Sequence, residues 1–139
     1  MPRPSKPLLP HRALCEHAFV GDAGSPAAQF ARAIRARNVV AAVAAARAIG
    51  WLSLGDALDL CLLLAEKDPK RYPRAAVRWL ERLLGERELE IAEVQLAASA
   101  LAALQGRSSA QAVTVLVELM HRPRVERPAL DSVSSGHRE

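Results

Sequence analysis

Residues 38–67 read NVVAAVAAARAIGWLSLGDALDLCLLLAEK, and this stretch decides the fold. Asn38 is a good helix N-cap, because its side-chain oxygen can accept an orphan backbone N–H of the first turn. Eleven residues of Val, Ala and Ile follow, interrupted only by Arg47, and Gly50 supplies the usual helix terminator. Trp51-Leu52 then leads to Ser53, a second N-cap, with Asp56 three residues on as a capping box that has Asp in place of Glu. Asp56 and Asp59 fall near the positive end of the helix, where carboxylates are stabilised. Two helices joined by a tight turn are expected here. The first is apolar nearly all round, which predicts burial between neighbours.

The same chemistry extends in both directions. Upstream, Ser25-Pro26 opens a helix over AAQFARAIRAR, with proline at its first position and Phe30 and Ile34 on one face. Before it, residues 1–24 form a Pro-rich arm. Prolines at 2, 4, 7 and 10 and the GDAGSP stretch forbid one continuous helix, although a short one fits around Arg12 to Phe19. Downstream, Pro73 fits the first turn of PRAAVRWLERLLGE. Ala76, Leu80, Leu83 and Leu84 make its apolar side, and Arg71, Arg74, Arg78 and Arg82 recur along the other. IAEVQLAASALAALQ from about Glu90 predicts a fifth helix, also interior, ending at Gly106. Ser108 or Ser109 caps a sixth, AQAVTVLVELMHR, which Pro123 stops. Residues 123–139 read as a polar tail.

These elements predict an all-α fold of five or six short helices over residues 25–122, packed as stacked antiparallel hairpins. Composition agrees: half of the 139 residues are hydrophobic but only 4% aromatic, so the apolar content is Ala, Leu and Val, which suits close-packed helices better than a sheet. No apolar run approaches a bilayer-spanning length, so no membrane partner is expected. No secretory signal is read at the N-terminus, and Cys15 and Cys61 make no disulfide framework; a cytoplasmic setting is the expectation. The net charge of +4 is diffuse rather than clustered, unlike that of a dedicated nucleic-acid binder. The preference for Arg over Lys, with abundant Ala, points to a high-GC bacterial genome.

A shift that carries Leu54 onto Ile91, 91 − 54 = 37 residues, also carries Asp56 onto Glu93, Leu64 onto Leu101 and Ala65 onto Ala102. It sets the helix from Asn38 over the one around Ala75. Such a period lies between the tetratricopeptide and HEAT lengths. The helix from Leu54 resembles the second helix of a tetratricopeptide unit. That family places a small residue, a large apolar one, another small one and then a proline at Ala57, Cys61, Leu64 and Pro69. Cys61 and Leu64 depart in size, and the preceding helix supplies alanines where the family has its Trp, Leu, Gly and Tyr signature. The LSLxDALxL and RAAxRWLxRLL runs are also similar to small helical proteins of high-GC bacteria, a resemblance that brings no activity with it. The tetratricopeptide resemblance implies a helical-repeat-like bundle offering surfaces rather than pockets.

The search for chemistry yields little. No HExxH, GxSxG or phosphate-binding glycine loop occurs, so neither catalysis nor a cofactor or metal is expected. His11, Cys15 and His17 cluster in HRALCEH and, with Glu16 or His121, would form a metal site only at a spacing unlike that of structural zinc sites. Asp56, Asp59 and Glu66 can be read as paired acids, or as helix-end electrostatics on a solvated face. Arg71, Arg74, Arg78 and Arg82 are the surface feature most open to a partner, against the plainer reading of a polar face neutralised by Glu81 and Glu86. Trp51, Trp79 and Tyr72 are either junction fillers or, if exposed, partner anchors. Trp79, set between the apolar and basic faces, joins the arginines as a candidate partner-binding residue. The function expected is a protein-interaction or scaffolding module open to self-association, with nucleic-acid binding through the basic helix face as the alternative.

Overall fold

The computed structural model describes residues 24–126. The expected arm and most of the expected tail lie outside them. The described residues form six helices: α1 (Pro26–Arg35), α2 (Val39–Ile49), α3 (Leu54–Lys67), α4 (Tyr72–Glu86), α5 (Ile91–Ala103) and α6 (Ser109–Met120). The fold is all-α, and among the described residues the only β-type pairing is an isolated bridge between Arg87 and Arg124. Contacts gather into two compact units that meet within α4, one ending at Ala75 and the other starting at Ala76.

In the first unit the caps do what their chemistry requires. The Ala28 N–H donates to Ser25 Oγ at 3.2 Å, and the Ala41 N–H to Asn38 Oδ1 at 3.1 Å. The Asp56 N–H donates to Ser53 Oγ at 3.0 Å, and the Ser53 hydroxyl donates in turn to the Asp56 carboxylate at 2.8 Å. Gly50 ends α2 at φ +79°. The turn from α1 to α2 is a Schellman closure, in which the Asn38 N–H reaches the Ala33 carbonyl and the Arg37 N–H the Ile34 carbonyl. Its left-handed position, usually glycine, holds Arg37 at φ +56°. The Arg37 guanidinium crosses to Glu66 near the end of α3.

The core of this unit is Phe30, Ala33, Ala42, Ala45 and Leu63, flanked by Ile34, Val39 and Ile49 among others. α1 and α2 pack most closely, because alanines at 33, 42 and 45 let the backbones approach. α3 buries two stripes, Leu54/Leu58/Cys61 and Leu63/Leu64.

α2 is not enclosed, contrary to the expectation from its all-round apolarity. Only Ala42 and Ala45 are buried, while Val40 is 78% exposed and Ala41, Ala44 and Ala48 face solvent. α5 departs in the same way, with Ile91 81% exposed and only Ala97, Ala100 and Leu101 buried. An exposed alanine forgoes the burial of roughly one methyl, on the order of 1 kcal/mol or less, so an alanine-rich helix can be one-sided at little cost.

In the second unit α5 and α6 pack against each other around Ala97, Ala100, Leu101, Ala112, Leu116 and Leu119. The Glu90 N–H donates to the Glu93 carboxylate at 3.0 Å, closing the first turn of α5. Glu93 also pairs with Arg122, just past the end of α6. Residues 123–125 do not begin a free tail. The Glu88 N–H donates to the Pro123 carbonyl at 2.9 Å, and the Val125 N–H to the Glu86 carbonyl at 3.3 Å. Arg87 Nε completes this clasp by donating to the Met120 carbonyl at 2.6 Å, where an α6 carbonyl lacks a helical partner.

Candidate functional site

The four arginines have separate fates. Arg71 precedes α4 and pairs with Asp68 at 3.3 Å. Arg82 is mostly buried and lays Nε and Nη2 on one Glu86 oxygen, at 3.2 and 2.9 Å. Arg74 and Arg78, four residues apart and therefore on one helical face, are exposed and make no ion pair within the described residues. Lys70 is exposed in the turn before them. The stripe therefore carries fewer available charges than its spacing suggests.

Trp79 is not a partner anchor. It is 1% exposed and among the most deeply buried side chains. The buried line of α4 is Tyr72, Ala76, Trp79 and Leu83, at i, i+4, i+7 and i+11, with Leu84 turned partly outward. The apolar side is thus rotated by about one position from that drawn through Leu80 and Leu84. Tyr72 and Cys61 lie near one another. Burial pushes the Cys61 thiol up to about 12, and burial followed by Cys61 pushes the Tyr72 phenol up to about 12. Both groups are neutral at physiological pH and serve as packing.

The acids do not converge on one point. Asp56 is engaged in its cap, and Glu66 with Arg37 and, at 3.6 Å, with Lys67. Partial burial and then the neighbouring Asp56 hold the Asp59 carboxyl above its usual range. The HRALCEH cluster lies outside the described residues. His121 is within them and sets Nδ1 2.7 Å from the Val117 carbonyl. No group of three or more metal-binding side chains gathers among the described residues.

Two surface features emerge instead, both in the first unit. One is the outer face of α2, where Val40, Ala44 and Ala48 recur at i, i+4 and i+8 and Trp51, 72% exposed, follows Gly50. The other is a groove of about 440 Å³. Ala27, Phe30, Ala31 and Ile34 of α1 line it with Ile49 and Leu52, and its charged lining is Arg35, Asp56 and Asp59. Sequence reasoning missed both. The α2 face was hidden because alanine spacing does not tell inside from outside. A signal for the groove was present: α1 carries apolar residues at 27, 30, 31, 33 and 34, a wider arc than one neighbouring helix can cover.

Compared with family models, with curated proteins and with solved structures, the chain matches none. Among the described residues no helix is long and apolar enough to cross a membrane.

Proposed function

We propose that the chain is a protein-interaction module with no catalytic role, and that it meets its partner, a protein or a second copy, through the outer face of α2. The observation that carries this reading is the row of exposed Val40, Ala44 and Ala48 along one side of α2, with exposed Trp51 following just after the helix end. Small side chains let a second helix come close, and an exposed tryptophan is the side chain most often found as an interface anchor. A helical-repeat-like architecture fits this role. The recurrence of an acid closing the first turn at Asp56 and at Glu93 supports it, as does the sequence echo between the two hairpins.

The test is capture from the native host's lysate on the immobilised full chain, with and without nuclease, beside light scattering of the free chain. A nuclease-resistant protein partner or a stable dimer is expected, and Val40→Asp with Trp51→Ser should abolish it. A monomer that retains nothing, or retention indifferent to the double substitution, overturns the reading.

Nucleic-acid binding is the second reading, supported by Lys70, Arg74 and Arg78 at i, i+4 and i+8. It requires an affinity that falls steeply with salt and is weakened by Arg74→Ala with Arg78→Ala. No mobility shift with mixed DNA and RNA at low salt would end it.

A further inference from the structure

The groove between α1 and the α2–α3 junction has apolar walls, Phe30, Ile34, Ile49 and Leu52 among them. Its volume of about 440 Å³ falls within the roughly 300–1,000 Å³ of clefts that seat a ligand. The charged lining is uneven: Asp56 and Asp59, one turn apart on α3, outnumber Arg35. Asp59 makes no ion pair among the described residues. An apolar helix face carrying a single cation matches such a lining. α2 presents one, with exposed Val40, Ala44, Arg47 and Ala48 at i, i+4, i+7 and i+8. α5, the other alanine-rich helix with an exposed side, carries an acid instead, Glu93, already held by Arg122. Given that the outer face of α2 is the interaction face, we propose that the groove receives this face from a second copy, with Arg47 of that copy against Asp59.

A helix laid into an apolar groove is read through anchors at these same spacings. Small residues on both sides let the backbones approach: Ala44 and Ala48 on the incoming face, Ala27 and Ala31 on the groove wall. The charges agree as well. Partial burial and then Asp56 hold the Asp59 carboxyl above its usual range, and an arriving guanidinium offsets both. Arg47 is exposed and makes no ion pair among the described residues, so the contact breaks no pair already formed. The two surfaces do not compete within one chain. Ile49, which lines the groove, follows Val40 by nine residues, about two and a half turns, and so stands on the opposite side of α2. One copy can therefore offer its α2 face to one neighbour while its groove takes another. Such a contact is head-to-tail, and copies joined by it add into open chains or close as rings.

The three isoleucines supply the probe. Ile34 and Ile49 line the groove, and Ile91 lies on α5 outside it. In the full chain labelled at isoleucine δ1 methyls, raising the concentration should shift the Ile34 and Ile49 resonances and leave Ile91 in place. Light scattering over the same series should show a mass that rises past that of a dimer. Arg47→Glu and Asp59→Arg should each weaken association roughly tenfold or more, since like charges then face each other across the contact. Mixing the two variant chains should restore it, a rescue that a merely misfolded variant cannot give. Ile34 and Ile49 resonances indifferent to concentration overturn the proposal, as does association that mixing fails to restore. A mass that halts at a dimer overturns the head-to-tail arrangement. A groove filled instead by a different protein captured from lysate assigns it to that partner and overturns the second copy as its occupant. None of these results touches α2 as the interaction face, which fails on its own test with Val40→Asp and Trp51→Ser.

Discussion

Arg37 occupies a backbone conformation that L-residues avoid, and replacing it isolates what that costs. A non-glycine residue in the left-handed region costs about 1–2 kcal/mol, and Arg37 holds φ +56° to close the turn between α1 and α2. Glycine at 37 removes the strain but gives back part of the gain, about 0.4–1 kcal/mol, through its freer unfolded chain. It also deletes the pair with Glu66, whose side chains are 52% and 48% exposed, so that pair is worth only about 0.2–1 kcal/mol. The two effects separate in a cycle. In a Glu66→Gln background the pair is already gone, and Arg37→Gly should stabilise by about 0.5–1 kcal/mol. In the parent chain the gain should shrink by the worth of the pair. Arg37→Ala, which keeps the strain and loses the pair, should destabilise slightly. Urea unfolding followed by helical ellipticity, with slopes unchanged among variants, measures all four. If Arg37→Gly destabilises the Glu66→Gln chain, the turn is not strained as its φ implies, and the account of the closure is wrong.

Three further outcomes are expected. Ala42 is fully buried and Ala44 exposed on the same helix, so Ala42→Leu should cost about 1–3 kcal/mol by overpacking while Ala44→Leu stays within about 0.5 kcal/mol, read by the same unfolding curves. Asp59 has its carboxyl raised above 3.8, so the folded chain holds that proton more tightly than the unfolded one. Its ionisation therefore weakens the fold, a penalty complete above the folded value and absent below 3.8. Asp59→Asn should raise the melting temperature at neutral pH and lose that advantage as the medium is acidified through this window. In a Cys15→Ser chain, Cys61, buried and pushed up to about 12, should resist thiol reagents at pH 8 until the protein unfolds, after which one thiol should titrate.

Element positions were legible because their signals are local. Ser25, Asn38, Ser53 and Gly50 act within four residues of themselves, and each stands where its side chain or its freedom at positive φ demands. Which face of a helix is buried is a tertiary property, and alanine hides it. α2 reads as apolar all round, and nothing in VVAAVAAARAI separates Ala42 from Ala44; only the partner helix does. Trp79 illustrates the opposite error. Its place beside a row of arginines suggested a boundary, whereas its bulk makes it the centre of the buried line. The ion pairs of Arg71 with Asp68 and of Arg82 with Glu86 lie at i, i+3 and i, i+4, within reach of the sequence. The groove joins three consecutive elements, of which only the α1 side was legible, in the wide apolar arc of Ala27, Phe30, Ala31, Ala33 and Ile34; how α1 meets Ile49 and Leu52 is a tertiary property.

The closeness of α1 and α2 has a consequence for descent. Ala33, Ala42 and Ala45 stand where a larger side chain would push the helices apart, and Phe30 fills the space beside them. Substitutions at Val40, Ala44 and Ala48 meet only solvent or a partner and can drift. Over evolutionary time overall identity would decay quickly, as the outer positions turned over, while Phe30-x-x-Ala33 and Ala42-x-x-Ala45, with eight residues between them, persisted. Relatives of this chain are therefore best sought by that sparse spacing, with a left-handed residue at 37 and a cap at 38 between the two halves, rather than by similarity along the whole length.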